Sequence, residues 1–320
     1  MQRRSLLALA ALPMPALAFP ERSVTIIVPF AAGGSTDIAA RLIAERLSAL
    51  LSGRFVVENR TGAGGAVGSE AVKRATPDGH TLLMASASSH GANPAVFRDL
   101  PYDAVSDFAP IALTGVTPLA LAVPPSGPPL GVVDVAGLRA ALADGRGNYG
   151  SAGAGSITHL AGELFLSRAG LRAEHIPYRG GAPALEALAR GEVTFALDTL
   201  AGLNALSEAG RIRLIAMGTA RRAPTHPQLL TLEEQGVAPF DLSTWNALLA
   251  PRGTPPERLA GLSRAVHEAL AEPALAQRLA GLGVGVPEPT GPAQTAEFIA
   301  AEVGKFRAIA EGAGLRLERP

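Results

Sequence analysis

The chain contains no cysteine. That excludes disulfides, thiol nucleophiles, thiolate metal sites and a lipid-anchored cysteine at a processed N-terminus. Lysine is almost missing: only Lys73 and Lys305 occur, and neither follows a glycine run, so there is no Walker-type phosphate loop. Aromatic residues make up 4 %, too few for a surface that stacks nucleic-acid bases. Neither charge dominates, with 28 basic and 28 acidic residues. Arg3 and Arg4 are the only charges in residues 1–18, so without that segment the balance is 26 to 28. A nucleic-acid partner needs a concentrated positive footprint, and none is present. The six histidines form no i, i+4 pair, so no metal site is expected. Beyond residue 18 every long apolar run is broken by glycine, proline or charge, so none reads as a membrane span.

What is present is a globular composition: 320 residues, 48 % of them hydrophobic, enough for two domains of ordinary size. Residues 1–18 read as a signal peptide. Arg3 and Arg4 give the positive start, residues 5–12 a short apolar stretch, and Ala16-Leu17-Ala18 a small-x-small cleavage site before Phe19. The segment fits the Sec route, and Arg3-Arg4-Ser5-Leu6-Leu7 is also compatible with twin-arginine export. The expected location is the periplasm or outside the cell.

Two loops carry most of the functional information. Pro29-Phe30-Ala31-Ala32-Gly33-Gly34-Ser35-Thr36-Asp37 follows the apolar run 24–28. Gly150-Ser151-Ala152-Gly153-Ala154-Gly155-Ser156-Ile157-Thr158-His159 follows a second short apolar run. Both lead into helix-period segments, both are rich in glycine and small hydroxyl residues, and neither holds a lysine or arginine. Such a turn presents main-chain N–H groups at the positive end of a helix, which suits a small anion.

Strand and helix signals alternate along the chain. Strands are expected at 24–28, 55–58, 81–85, 111–113, 119–123, 174–177, 193–197, 213–217 and 245–250, with a strand end at 148–150. Helices are expected at 37–51, 135–142, 156–168, 183–190, 257–270 and 293–311. The run Pro124-Pro125-Ser126-Gly127-Pro128-Pro129 punctuates the series. Alternation of this kind implies parallel sheets flanked by helices, with a ligand beyond the carboxyl ends of the strands. The expected division is 19–122 and 220–320 for lobe I and 123–219 for lobe II, with two hinge crossings near Val123 and Met217.

Dinucleotide binding fails at residue level, because Val67 and Thr158 stand where the third fingerprint glycine is needed. No cofactor is expected. Ser35 and Thr36 read either as helix caps or as ligand donors. Asp37 would repel an anion, so it is expected to point sideways onto a neighbouring loop. Asp198 reads either as a cap or as a group for a ligand amine, hydroxyl or water. A hydrolase using Ser35 or Ser156 with His159 lacks a nucleophile elbow or an ordered triad.

The ordered motifs resemble one family. They are the first loop, Val57-Glu58-Asn59-Arg60-Thr61-Gly62-Ala63-Gly64-Gly65, Pro77-Asp78-Gly79-His80, Ser89-His90-Gly91-Ala92-Asn93-Pro94, the second loop with His159-Leu160-Ala161-Gly162-Glu163, Pro177-Tyr178-Arg179-Gly180, and Ala250-Pro251-Arg252-Gly253-Thr254-Pro255. Together they resemble the Bug-type periplasmic receptors of tripartite tricarboxylate transporters. The resemblance implies an α/β, two-lobed, periplasmic-binding-protein-like (type II) fold, each lobe a mostly parallel sheet flanked by helices. It implies a non-enzymatic, monomeric receptor for a small organic acid (dicarboxylate, tricarboxylate, amino acid or aromatic acid) that delivers it to membrane transporter subunits. The alternative is a ligand sensor serving a membrane kinase. Carried over, the binding residues are Phe30, Ala32, Gly34, Ser35 and Thr36 on one lobe. On the other they are Ser151, Gly153, Ser156, His159, Tyr178 and Asp198, with Ser89 and His90 on the rim.

Overall fold

A computed structural model of the chain describes residues 19–125 and 131–318. The signal segment 1–18 and most of the proline-glycine run lie outside the described residues. The first sheet is built from β1 (Val24–Val28), β2 (Phe55–Asn59) and β3 (Thr81–Ser86), with β1 in the middle and both pairings parallel. The sequence VTIIV is almost wholly buried, as a central strand covered on both faces requires. Helix α1 (Ser35–Leu50) buries Ala39, Leu42, Ile43 and Leu47 and turns Arg41 and Glu45 outward. Helices α2 (Ala66–Lys73) and α3 (Asn93–Val96) follow β2 and β3.

The stretches 111–113 and 119–123 are not two strands. They belong to one strand of 16 residues, β4 (Phe108–Val123). Up to Pro118 it pairs antiparallel with β9 (Ser243–Pro251), which also pairs with β3. From Leu119 it pairs with β7 (Phe195–Thr199) and β8 (Arg213–Met217). Proline has no N–H for a ladder, and Pro118 stands where the strand exchanges partners, so a break in pairing and a break in sequence coincide without ending the strand. Pro110 sits at a register shift in the same ladder.

The second sheet continues through β5 (Asn148–Ser151) and β6 (Glu174–Pro177), parallel to each other, with β7 parallel to β5. Its helices are α4 (Val135–Ala141), α5 (Ile157–Ala169), α6 (Gly181–Ala189) and α7 (Leu200–Glu208). Helices α8 (Pro256–Ala271), α9 (Pro273–Gly281) and α10 (Pro292–Gly312) complete the first lobe. The architecture is the expected two-lobed α/β fold, with parallel outer strands and antiparallel strands where the lobes join.

The two crossings lie side by side. Gly218 N–H donates to Leu119 O at 2.8 Å, Leu242 N–H to Gly218 O at 2.7 Å, and Leu119 N–H to Leu242 O at 3.4 Å. Residues 219–241 bond back onto the second lobe: Leu232 N–H donates to Met217 O, Gln235 Nε2 to Ile215 O, and Val135 N–H to Gln235 Oε1. One apolar core runs through the join, with Ala92, Val96 and Phe97 from one side and Ile157, Leu160 and Ala161 from the other.

Candidate functional site

The first loop occupies 29–34, between the end of β1 and the start of α1. The residue that caps α1 is Gly34, in extended conformation and without a side-chain bond. Ser35 and Thr36 are therefore the first two helical residues and not caps. Among the described residues, the amides of Ser35, Thr36 and Asp37 make no hydrogen bond within the protein, and neither does the Ser35 hydroxyl. Thr36 Oγ1 accepts from Asn246 Nδ2 at 3.2 Å, which ties this turn to strand β9 at the join.

Asp37 points sideways, as its charge demands. Its Oδ2 accepts from Gly33 N–H at 2.9 Å and from Arg41 Nε at 3.0 Å; its Oδ1 accepts from Asn59 Nδ2 at 2.8 Å. Asn59 Nδ2 also donates to Phe30 O at 3.0 Å. Burial acts to raise the Asp37 pKa, but the bonds from Arg41, Gly33 and Asn59 outweigh it and hold the carboxyl below its usual range. Gly33 supplies the left-handed turn (φ +84°) that aims its N–H at this carboxylate. Because Arg41 neutralises Asp37, the positive end of a 16-residue helix remains effective next to exposed Ala32 and Gly34.

The second loop is built differently. Ser156 caps α5, accepting from His159 N–H at 3.2 Å while donating to Gly153 O at 2.6 Å. Ala152 N–H donates to Thr158 Oγ1, Gly153 N–H to Ser151 Oγ, and Gly155 N–H to His159 Nδ1 at 3.1 Å. Ser151 Oγ lies 2.6 Å from His175 Nε2. The His159 and His175 rings stack with centroids 3.8 Å apart. Burial pushes both down to about 4, so the imidazole that accepts from Gly155 is neutral near pH 7. The donors of this loop are largely committed inside it, whereas those of the first loop are not.

Tyr178, just after β6, meets the second loop, and Asp198 lies in β7. Tyr178 N–H donates to Ser151 O at 3.0 Å, and a Cβ added at Gly153 would lie 3.2 Å from Tyr178 O. Asp198 is buried and pairs across the ladder with Ala120 of β4, beside the join. Its Oδ1 accepts from Thr199 N–H at 2.6 Å and from Thr199 Oγ1 at 3.2 Å. Burial pushes its pKa up to about 6, against the Thr199 bonds that oppose the shift. The cap of α7 is Thr199, not Asp198. Gly181, the first residue of α6, approaches Asp198 so closely that an added Cβ would be 3.2 Å from Oδ2.

Ser89 and His90 do not form an exposed rim. Both are fully buried in a π-helical turn, Ser88–Ala92. The His90 ring packs against Tyr102 and Phe108, with centroids 5.4 and 4.7 Å away, and burial pushes its pKa down to about 3. The residue of this turn that reaches the other lobe is Ser88, whose Oγ accepts from Ile157 N–H at 3.3 Å. Sequence reasoning passed over Ser88, Asn246 and His175, because each acts through a partner far along the chain. For the hydrolase alternative, Ser156 meets the main-chain N–H of His159 and not its ring. Ser151 does meet a histidine ring but is fully buried.

Two lobes with adjacent crossings, and a strand–loop–helix turn in each, define a solute receptor of the periplasmic-binding-protein class. The chain matches the family model "Tripartite tricarboxylate transporter family receptor" over residues 39–315. It belongs to that family of periplasmic receptors. It is 33 % identical over 309 residues to Protein BugT of Bordetella pertussis, covering 96 % of this chain and 94 % of that one. Among solved structures it is similar to R. palustris Rpa4515 with adipate, at 35 % identity and a TM-score of 0.88, covering 93 % of this chain and 99 % of that one. MatC from Rhodopseudomonas palustris with bound malate is 33 % identical with a TM-score of 0.84, covering 91 % of this chain and 99 % of that one.

Proposed function

We propose that this protein is an exported, non-enzymatic receptor that captures a small organic carboxylate between its lobes and delivers it to a membrane transporter. The observation that carries this reading is the first turn of α1, where three consecutive amides and the Ser35 hydroxyl have no partner among the described residues. An acid carboxylate placed there gains charge-assisted bonds of roughly 1.5–3 kcal/mol each. Four or five of these correspond to about micromolar affinity once association costs are subtracted. Adipate and malate in two related structures support a carboxylate ligand.

The division of labour we assign is unequal. Phe30, Ala32, Gly34, Ser35 and Thr36 supply the main-chain and hydroxyl donors for the carboxylate. Ser151, Gly153, Ser156 and His159 hold the second loop in shape, and Tyr178 and Asp198 face the remainder of the ligand. Ser89 and His90 support the turn that carries Ser88. The lobe limits are part of the same proposal: the bonding of residues 219–241 to β8 and α4 favours a second crossing at 218 and 242, so that this segment moves with lobe II. Export through cleavage after Ala18 completes the reading.

A thermal-shift screen of aliphatic di- and tricarboxylates, amino acids and aromatic acids tests it. An acid at 100 times its Kd stabilises the native form by about 2.7 kcal/mol. At least one class should raise the midpoint, and no turnover of that acid or its esters should follow. A midpoint unmoved by every carboxylate would count against the assignment.

A further inference from the structure

Strand β9 carries Trp245-Asn246-Ala247-Leu248-Leu249-Ala250, and its side chains alternate between two apolar cores. Trp245, Ala247 and Leu249 enter the core that runs through the join. Leu248 and Ala250 enter the other, beside α1. Asn246 shares the face of Leu248 and Ala250, a polar residue in an apolar row, and is 4 % exposed. Its neighbour across the ladder in β4 is Gly115, where an added Cβ would lie 2.5 Å from Val284. An amide in such a place needs partners for its two N–H groups and its oxygen.

The nitrogen has both. Asn246 Nδ2 donates to Thr36 Oγ1 at 3.2 Å and to Ala85 O at 3.4 Å. The Ala85 carbonyl can only accept, so it settles which branch of the amide is the nitrogen. The other branch, Oδ1, has no hydrogen-bond partner among the described residues. It is not enclosed either, so the small exposed part of this side chain includes a free acceptor oxygen. Thr36 Oγ1 accepts from Asn246 and has no acceptor for its own hydrogen among the described residues, which leaves that hydrogen for a ligand.

We propose that Asn246 Oδ1 reads the substituent on the carbon next to the bound carboxylate, so that the receptor prefers 2-hydroxy or 2-amino acids to unsubstituted acids of the same chain length. The inference rests on the carboxylate reading above. The Thr36 hydroxyl is one of the donors assigned to the carboxylate, and Oδ1 belongs to the amide that bonds this hydroxyl. It is an acceptor one step beyond the carboxylate, where a substituent on the second carbon lies. Once a ligand displaces water there, an O–H or N–H on that carbon satisfies Oδ1, and a methylene leaves it unpaired. A site that hydrogen-bonds a substituent rejects the analogue lacking it, because its own polar group is then stranded.

Calorimetric titration with matched pairs tests this: malate and aspartate each against succinate, and 2-hydroxyadipate against adipate. Within the pairs that bind, the substituted acid should bind about tenfold more tightly or better. Asn246→Ala should bring that ratio close to one. The ratio compares two ligands on one protein, so a general loss of fold or closure cancels from it. In the wild-type protein, the Asn246 side-chain carbonyl carbon signal should move with the substituted acid and stay in place with its unsubstituted partner. Equal affinities within the pairs, a ratio that survives Asn246→Ala, or an Asn246 signal that answers both acids alike would overturn the role of Asn246 and leave the carboxylate reading intact. Binding of none of these acids would overturn both.

Discussion

Ser88 and Ile157 join the two lobes. The Ile157 N–H is the first donor of α5 and has no acceptor within its own helix; Ser88 Oγ, from the turn after β3, accepts it at 3.3 Å. Both residues are buried, and beside them Gly155 comes so near Phe97 that an added Cβ would lie 2.6 Å from its ring. A helix start in one lobe is completed by a hydroxyl from the other.

Removing that hydroxyl should therefore loosen closure. A net hydrogen bond is worth about 0.5–1.5 kcal/mol, so Ser88→Ala should weaken binding of any acid that requires the closed state by up to about tenfold. The Ile157 amide should exchange faster by a similar factor, and Ser88→Thr should restore protection. Amide exchange followed at Ile157 checks this, and unchanged protection in Ser88→Ala would refute it.

The two loop serines should behave differently. Ser156 caps α5 and bonds Gly153, so Ser156→Ala should cost about 1 kcal/mol of stability. The Ser35 hydroxyl has no bond among the described residues, so Ser35→Ala should leave the unliganded midpoint unchanged and lower affinity for the acid about tenfold, the equivalent of about 1.4 kcal/mol. Denaturant titration and calorimetric binding of both variants separate the roles. Equal loss of stability in the two would mean that Ser35 is structural.

Four groups shifted by burial contribute to the pH dependence, with opposite signs. His159 and His175 (about 4) and His90 (about 3) are held well below their ordinary value of 6.5. The unfolded chain thus binds more protons between those limits, and stability falls as pH drops below 6.5. Asp198 is raised from 3.8 to about 6, so there the native state binds the extra proton and stability declines as pH rises through that interval. Three bases outweigh one acid, and the unliganded protein should lose stability from pH 6.5 towards 4. Asp198→Asn keeps an oxygen for Thr199 and removes the buried charge. It should stabilise the protein at pH 7 by up to about 3 kcal/mol and steepen the acid loss. Urea midpoints from pH 4 to 8 give both slopes; a less stable Asn variant at pH 7 would contradict the assigned sign.

Much of this was legible in the sequence. The apolar run at β1, the glycine-serine turns after β1 and β5, and the two-lobed order follow from period and punctuation. The sideways direction of Asp37 followed from its charge alone. Strand β4 was misread as two strands because prolines ordinarily mark breaks, and here Pro118 marks a change of partner within one strand. The cap of α1 went to Gly34 although Ser35 is the better capping residue, because backbone geometry chose the position. Ser88 was invisible because its partner lies 69 residues on. The resemblance implied a rim position for His90, whereas its ring fills buried space between Tyr102 and Phe108.

The central claim is that main-chain amides at the start of α1, and not a side-chain cation, hold the acid. Arg179, exposed and next to Tyr178, is the cation that would otherwise do so. Titrating isotopically labelled protein with adipate and with malate, while following the amides of Gly34, Ser35, Thr36 and Asp37 and the Arg179 guanidinium, tests this directly. Saturable downfield movement of the α1 amides, with Arg179→Ala binding as the wild type does, is the result expected. Silent α1 amides together with a shifted Arg179 signal, and binding lost in Arg179→Ala, would contradict it.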